Sequence, residues 1–439
     1  MQAARWVRRG LAVLIAPPMA ALAALAALAA GLVLAPPPAA AQPVVTLKIE
    51  SWRYDDLPVW RDTLIPAFEK ANPGIRVVFV PTPPHEYNAA LEARLARGSA
   101  GDLITCRPFD TSQRLHRLGH LPSLAGLPGL QHFPPLARLA WSTDDGETTY
   151  CVPIASVIHG FIYNAEAFKA LRVEPPQTWD QFFAVLQRFK ADGRWIPLIM
   201  GTKDTWEGAT LGYQNIGPVF YGGEEGRRAL LAGTARLTDS RWVEPWRVLA
   251  KWRPYLGEGF EAQTYPDSQN LFLLGLGAVY PAGSWEVADF EKQAGLKLGV
   301  FKPPRTSAGD RCQVTDHPDL GLGMNARTPH PKEARRFLEW VASPPFAALY
   351  ANALPGFFSL NAQAPLQVAS PLARSFAAWR GECATTIRPT YQWLMRGTPN
   401  LEDEFWRTSA AVIEGQVTPE AAAQHLQGVL QRSYKPPRP

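Results

Sequence analysis

Three places in this sequence set an aromatic or cationic side chain within a few residues of a carboxylate: Trp52 with Asp55, Arg107 with Asp110, and Trp285 with Glu286. That mixture suits the capture of a polyol. Apolar sugar faces stack on Trp and Tyr, while the hydroxyls need planar partners such as Asp, Glu, Asn and Arg. For each tryptophan alone, packing against a core is the default. What singles these out is their recurrence at one kind of place. Catalytic arrangements do not accompany them: the chain has no G-x-S-x-G elbow, no glycine-rich phosphate loop and no H-E-x-x-H. His116 and His120 share an i,i+4 spacing without a nearby carboxylate or third ligand, which reads as a solvated helix face. A glycosidase needs two positioned carboxylates, and no local feature points at one pair. No metal, no cofactor and no enzymatic activity are expected.

The elements that must position these residues read as α/β. Val45, Leu47 and Ile49 alternate with polar residues as in a strand. Leu57, Trp60, Leu64, Ile65 and Phe68 follow at helical spacing, stopped by Asn72-Pro73-Gly74, and 75–80 is a second strand rich in β-branched residues. Strand, helix, strand predicts a βαβ unit with parallel strands. Tyr87, Leu91 and Leu95 mark another helix, and 102–106 a short buried strand. In open α/β sheets, ligands bind beyond the carboxyl ends of strands, and 51–55 and 107–110 occupy that position. A second body begins after Pro153. It has a strand over 158–163, and a capping box of Thr178 and Gln181 opens a helix whose apolar face carries Phe182, Phe183, Val185, Leu186 and Phe189. The stretch 271–280 is apolar and glycine-studded, 320–325 reads as a strand, and 332–342 as an amphipathic helix.

Composition bounds the rest. The 439 residues are 46% hydrophobic and 11% aromatic with 15 Trp, enough for two domain-sized bodies. The formal net charge is +5, but Arg5, Arg8 and Arg9 supply three of those charges and no acidic residue precedes Glu50. The rest of the chain carries about +2 by subtraction, with no basic patch, so nucleic acid is not an expected partner. The basic start, the apolar run 10–34 and Ala39-Ala-Ala41 read as a signal peptide over 1–41, cleaved before Gln42. No cysteine adjoins the cleavage site, so a freely diffusing periplasmic protein is expected. An uncleaved anchor is the rival, because the apolar run is long. Cys106, Cys151, Cys312 and Cys383 are compatible with two disulfides whose connectivity the sequence leaves open.

Several stretches resemble the family 1 extracellular solute-binding proteins, the maltose-binding-like carbohydrate receptors of ABC importers. Tyr150-Cys-Val-Pro153, Phe161-Ile-Tyr-Asn164 and Pro175-Pro-Gln-Thr-Trp-Asp180 are similar to that family's signature almost letter for letter. Gly98-Ser-Ala-Gly-Asp102 resembles its G-x-x-P-D turn with Gly101 in place of proline, and 274–285 resembles its G-S-W segment with Val279-Tyr280 in place of Ala-Met. The helix from Lys332 and the segments 400–406 and 415–421 are also similar, so the likeness spans 44–433.

The resemblance implies a two-lobed periplasmic binding protein fold with a hinge, each lobe a mainly parallel sheet flanked by helices. It implies an N-terminal lobe of 43–155 plus about 316–355 and a C-terminal lobe of 156–315 plus about 356–433. Closure on a mono- or oligosaccharide, delivery to membrane permease subunits and a monomeric state are expected with it. By position it implies ligand contacts at Trp52, Asp55, Arg107, Asp110, Trp206, Trp285 and Trp406, with Gly356 and Phe357 bordering the pocket. Trp285 is the best match to a stacking tryptophan and is expected at the cleft wall. Hinges are expected near 153–160 and 319–324. The alternatives are a glycerophosphodiester, polyamine or iron-complex receptor on the same fold, and a periplasmic glycosidase. A phosphate ligand would call for an arginine cluster or a helix N-terminus, and a polyamine for several carboxylates.

Overall fold

In the computed structural model, which describes residues 44–293, 295–364 and 367–436, the expected strand alternation becomes β1 (Val45–Ser51), with Leu47 and Ile49 buried and Lys48 facing out between them. β2 (Ile75–Pro81) pairs with it in parallel, Val45 opposite Ile75 through Ser51 opposite Pro81, as a βαβ unit requires. The helical segment 57–71 between them buries Trp60, Leu64, Ile65 and Phe68. β3 (Leu103–Cys106) joins the other side of β1, again in parallel.

Two strands are far longer than the rest. β4 (Val152–Asn164) has 13 residues and β8 (Gln313–Met324) has 12, against a usual five or six. At about 3.3 Å per residue each reaches some 40 Å, enough to serve two separate halves of a sheet. They pair antiparallel with each other, with register shifts on either side of Ala155. β8 also runs antiparallel to β3, while the far end of β4 pairs antiparallel with β6 (Gly277–Gly283) and β7 (Leu298–Phe301). β5 (Ile196–Leu198) closes the order β2-β1-β3-β8-β4-β6-β5 in parallel with β6. Parallel pairs lie at both flanks and also where Ala384–Thr386 joins the start of β8, while the long strands pair antiparallel with each other.

Local readings are resolved in detail. Thr178 accepts from the Gln181 amide at 3.4 Å while Gln181 Oε1 accepts from the Thr178 amide at 3.3 Å, which starts the helix Trp179–Asp192. Phe183 lies only half inside, unlike its four apolar partners. The apolar stretch 271–280 divides into the end of the helix Tyr265–Leu273 and the start of β6, turned by Gly275 at φ 76°. The strand expected at 320–325 begins earlier, at Gln313. The helix Pro331–Val341 buries Ala334, Phe337, Leu338 and Val341. Disulfides join Cys106 to Cys151 and Cys312 to Cys383, across 45 and 71 residues, which the chain-entropy model values at about 4 kcal/mol each. The proposed signal segment 1–41 lies outside the described residues.

Candidate ligand cleft

Arg107 leaves the carboxyl end of β3. Its guanidinium lies 4.4 Å from the centroid of the Trp52 ring, with Nε donating to Asn88 Oδ1 at 3.1 Å and Nη2 to the Pro84 carbonyl at 3.0 Å. Burial lowers its pKa below the ordinary arginine value, and no carboxylate pairs with it among the described residues. Beyond Arg107 the backbone turns through Phe109 at φ 57°, a left-handed conformation for a bulky residue, and enters the helix Asp110–Arg117.

These elements form one wall of a cleft of about 350 Å³. The opposite wall is the loop around 388–400 and the helix Leu401–Ile413, which carries Trp406, and Asp319 of β8 also lines the cavity. Trp406 is half-buried, and its indole is held by donating from Nε1 to Glu402 Oε1 at 3.1 Å, one helical turn back. Glu402 is itself buried; it accepts from Gln214 Nε2 at 2.9 Å and from the Thr390 hydroxyl, and faces Arg388 at 3.6 Å.

Of the expected site residues, Arg107, Asp110 and Trp406 line this cleft. Asp110 does so with its carboxylate already committed. It accepts from Arg396 Nε at 2.5 Å, while Arg396 also reaches Gln113 at 2.7 Å and Asp144 at 2.6 and 2.9 Å. Trp393 Nε1 donates to Asp144 as well, at 3.1 Å. The cluster fastens the 392–396 loop to the helix Asp110–Arg117, and the Arg396 hydrogen bonds hold the Asp144 carboxyl down at about 2. Trp52 is buried, its face covered by Arg107 and its ring tilted against Tyr87 with centroids 5.5 Å apart.

The other expected residues lie away from that cavity. Trp285 departs most from expectation: it packs inward, donating from Nε1 to Tyr265 Oη at 3.0 Å with its ring edge-on to His159 at 5.3 Å. Tyr265 passes the chain on to Glu286 Oε1 at 2.5 Å, and Gln269 donates to Oε2 at 2.9 Å. Burial outweighs these bonds and raises the Glu286 carboxyl to about 7. Asp55, partly buried nearby, is raised to about 6, again chiefly by burial. Trp206 is half-buried with its ring 4.7 Å from Tyr265. Gly356 accepts from the Ser284 hydroxyl at 2.5 Å and sits at φ 99°, and any Cβ there would strike the Ser284 carbonyl. Phe357 is buried beneath Arg53, whose guanidinium lies 4.7 Å from the ring centroid.

Residues missed in the sequence include Asp319, Arg388, Tyr391 and Glu402 in the cleft, and a buried pair at the strand crossing. His159 of β4 and His317 of β8 meet Nε2 to Nε2 at 3.0 Å, and burial pushes both imidazoles well below their usual pKa. Several lie in or beside recognised segments, His159 in a strand, Asp319 at an expected hinge and Glu402 in a family-like stretch, but no local spacing marks their side chains as meeting.

With this geometry in place, the family comparison is decisive: residues 63–373 match the model of the bacterial extracellular solute-binding proteins. The chain belongs to that family. Among curated relatives of this solute-binding protein, the multiple sugar-binding protein of Streptococcus mutans is 24% identical over 293 residues, covering 64% of this chain and 67% of that one. Among solved structures, a chain from work on xylan utilization by Caldanaerobius polysaccharolyticus aligns with TM-score 0.76 and 18% identity, over 88% of this chain and 99% of that one. The RafE solute-binding protein in complex with raffinose aligns with TM-score 0.74 and 22% identity, over 88% and 99%. The family, the Streptococcus mutans relative and RafE are binding proteins by name, and the structural likeness places this chain in the same α/β fold.

Proposed function

We propose that this solute-binding protein captures a neutral carbohydrate in the cleft beside Arg107 and Trp406 and delivers it to the permease subunits of an ABC importer. The observation that carries the reading is the charge balance of the lining. Five arginines (Arg107, Arg114, Arg117, Arg388, Arg396) face five carboxylates (Glu92, Asp110, Asp319, Glu402, Asp403), with Trp406 and Tyr391 between them. Dense, mutually neutralised donors and acceptors beside aromatic faces suit a polyol. A glycerophosphodiester would favour a cationic surplus and a polyamine an anionic one, and the lining has neither. The sugar-binding names of the relatives point the same way.

In this reading the lobes are 43–155 with about 316–355, and 156–315 with about 356–433, and they hinge where β4 and β8 cross. The protein works as a monomer in the periplasm after loss of residues 1–41, and turns over no substrate. Of the expected contacts, Arg107 and Trp406 touch ligand directly. Asp110 shapes the wall through Arg396, and Trp52 acts by seating Arg107. Asp55, Trp206 and Trp285 belong to the supporting cluster around Tyr265 and Glu286, and Gly356 and Phe357 set the chain path behind it.

A thermal-shift screen of the mature protein against mono- and oligosaccharides, glycerophosphocholine and spermidine tests the reading. A sugar at one hundred times its dissociation constant should stabilise the fold by about 2.7 kcal/mol. Stabilisation by spermidine or glycerophosphocholine alone would contradict it.

A further inference from the structure

Three guanidiniums from three separate segments are each held against an aromatic ring, and two of them, Arg107 and Arg388, line the cleft with Asp319. Arg53 lies 4.7 Å from the Phe357 centroid, Arg107 4.4 Å from Trp52, and Arg388 5.4 Å from Tyr391. All three have further commitments: Arg53 forms a bidentate pair with Asp56 at 2.9 and 2.8 Å, Arg107 donates to Asn88 Oδ1 and the Pro84 carbonyl at 3.1 and 3.0 Å, and Arg388 donates to His317 Nε2 at 3.2 Å. The charge they share is Asp319, partly buried on β8 and lining the cleft, on which Arg53, Arg388 and Arg107 all act. Asp319 nevertheless accepts no hydrogen bond and forms no ion pair with any described residue.

A carboxylate drawn out of water among three cations would ordinarily collapse onto one of them, because leaving it unpartnered is costly. Stacking and prior bonds hold the guanidiniums back. What remains is an acceptor ringed by donors, with room for a group that both donates and accepts. A hydroxyl does both, and two adjacent hydroxyls engage both carboxylate oxygens at once. An anionic group would meet repulsion from Asp319, and an ammonium would meet three guanidiniums.

We propose that Asp319 is the specificity-determining acceptor of the cleft, and that it selects a carbohydrate presenting a free vicinal diol. This rests on the carbohydrate reading above and narrows it. Acid should abolish the interaction, since a protonated carboxyl accepts poorly. Burial already raises the Asp319 carboxyl, opposed by Arg53, Arg388 and Arg107 and assisted by Asp56. Tyr350 and Tyr391, both raised chiefly by burial, also feel the Asp319 charge.

The test is calorimetric titration of raffinose, stachyose, xylotriose and maltotriose into the wild type, Asp319→Asn and Asp319→Ala, with each protein's melting temperature recorded. The wild type should bind at least one sugar. The isosteric Asp319→Asn should weaken that binding about ten- to a hundred-fold at unchanged melting temperature, the usual reach of a hydrogen bond to a charged group. Wild-type affinity should also fall from pH 7.5 to pH 4.5 while the Asp319→Asn profile stays flat. Equal binding by wild type and Asp319→Asn, or parallel pH profiles, overturns the assignment and leaves the carbohydrate reading standing. A wild type that binds none of the four overturns both.

Discussion

Two regions of this molecule each set a tryptophan beside a glutamate, Trp406 one helical turn from Glu402 and Trp285 next to Glu286, and the two pairs have opposite fates. At the cleft, Trp406 stays half-exposed because its Nε1 bonds to Glu402 one turn back on its own helix, leaving the ring free. In the cluster behind β6, Trp285 and Glu286 are consumed by Tyr265, Gln269 and His159, which arrive from other segments. Residue type and topological place bring a side chain to the neighbourhood of a site. Whether it faces ligand is decided by which partners fill its hydrogen-bonding capacity.

That contrast is open to attack at several points. Trp285→Ala should cost about 3 to 5 kcal/mol of folding stability, as for any large buried aromatic. Ligand-free denaturant melts read this directly. A nearly unchanged melt with severely weakened sugar binding would return Trp285 to the cleft wall. Arg396→Ala should cost less, about 1 to 3 kcal/mol, because it leaves the buried Asp110 carboxylate short of its main partner. The same variant should free the 392–396 loop, seen as faster amide hydrogen exchange there than in the helix Leu401–Ile413. Equal exchange rates would show that the loop is held by other contacts.

A further effect concerns pH. Glu286 is raised to about 7 by burial, so the folded state holds its proton more tightly than the unfolded chain does. The stability this provides is fully present below the ordinary glutamate range and is lost as pH rises through about 7. Wild-type stability should therefore decline across that window by at most about 1.4 kcal/mol per pH unit, and Glu286→Gln should flatten the decline. An identical slope in the variant would mean that another group controls it.

Much of the frame was legible from local pattern. The βαβ unit at 45–81, the Thr178–Gln181 capping box and the buried face of the helix Pro331–Val341 each depend on residues close in sequence. Arg107 was legible for the same reason, since it directly follows a recognisable strand. Asp319 was not. Its meaning comes from β8 lying antiparallel between β3 and β4, which sets it among arginines from positions 53, 107 and 388. No local spacing encodes that meeting. Asp110 was expected as a ligand contact, and nothing near it in the sequence marks it as the partner of Arg396, which lies 286 positions along the chain. The disulfide pairing had the same character, with both bonds set by strands that come together only in the fold.

The measurement closest to the central claim is calorimetric titration of the same four sugars into wild-type protein and Trp406→Ala. The wild type should take up at least one sugar at one site per chain. Removing the indole should weaken binding by about 2 to 4 kcal/mol, roughly thirty-fold to nearly a thousand-fold, without lowering the ligand-free melting temperature. Sugar binding unaffected by Trp406→Ala would place the ligand elsewhere in the molecule, and the absence of binding by the wild type would contradict carbohydrate capture itself.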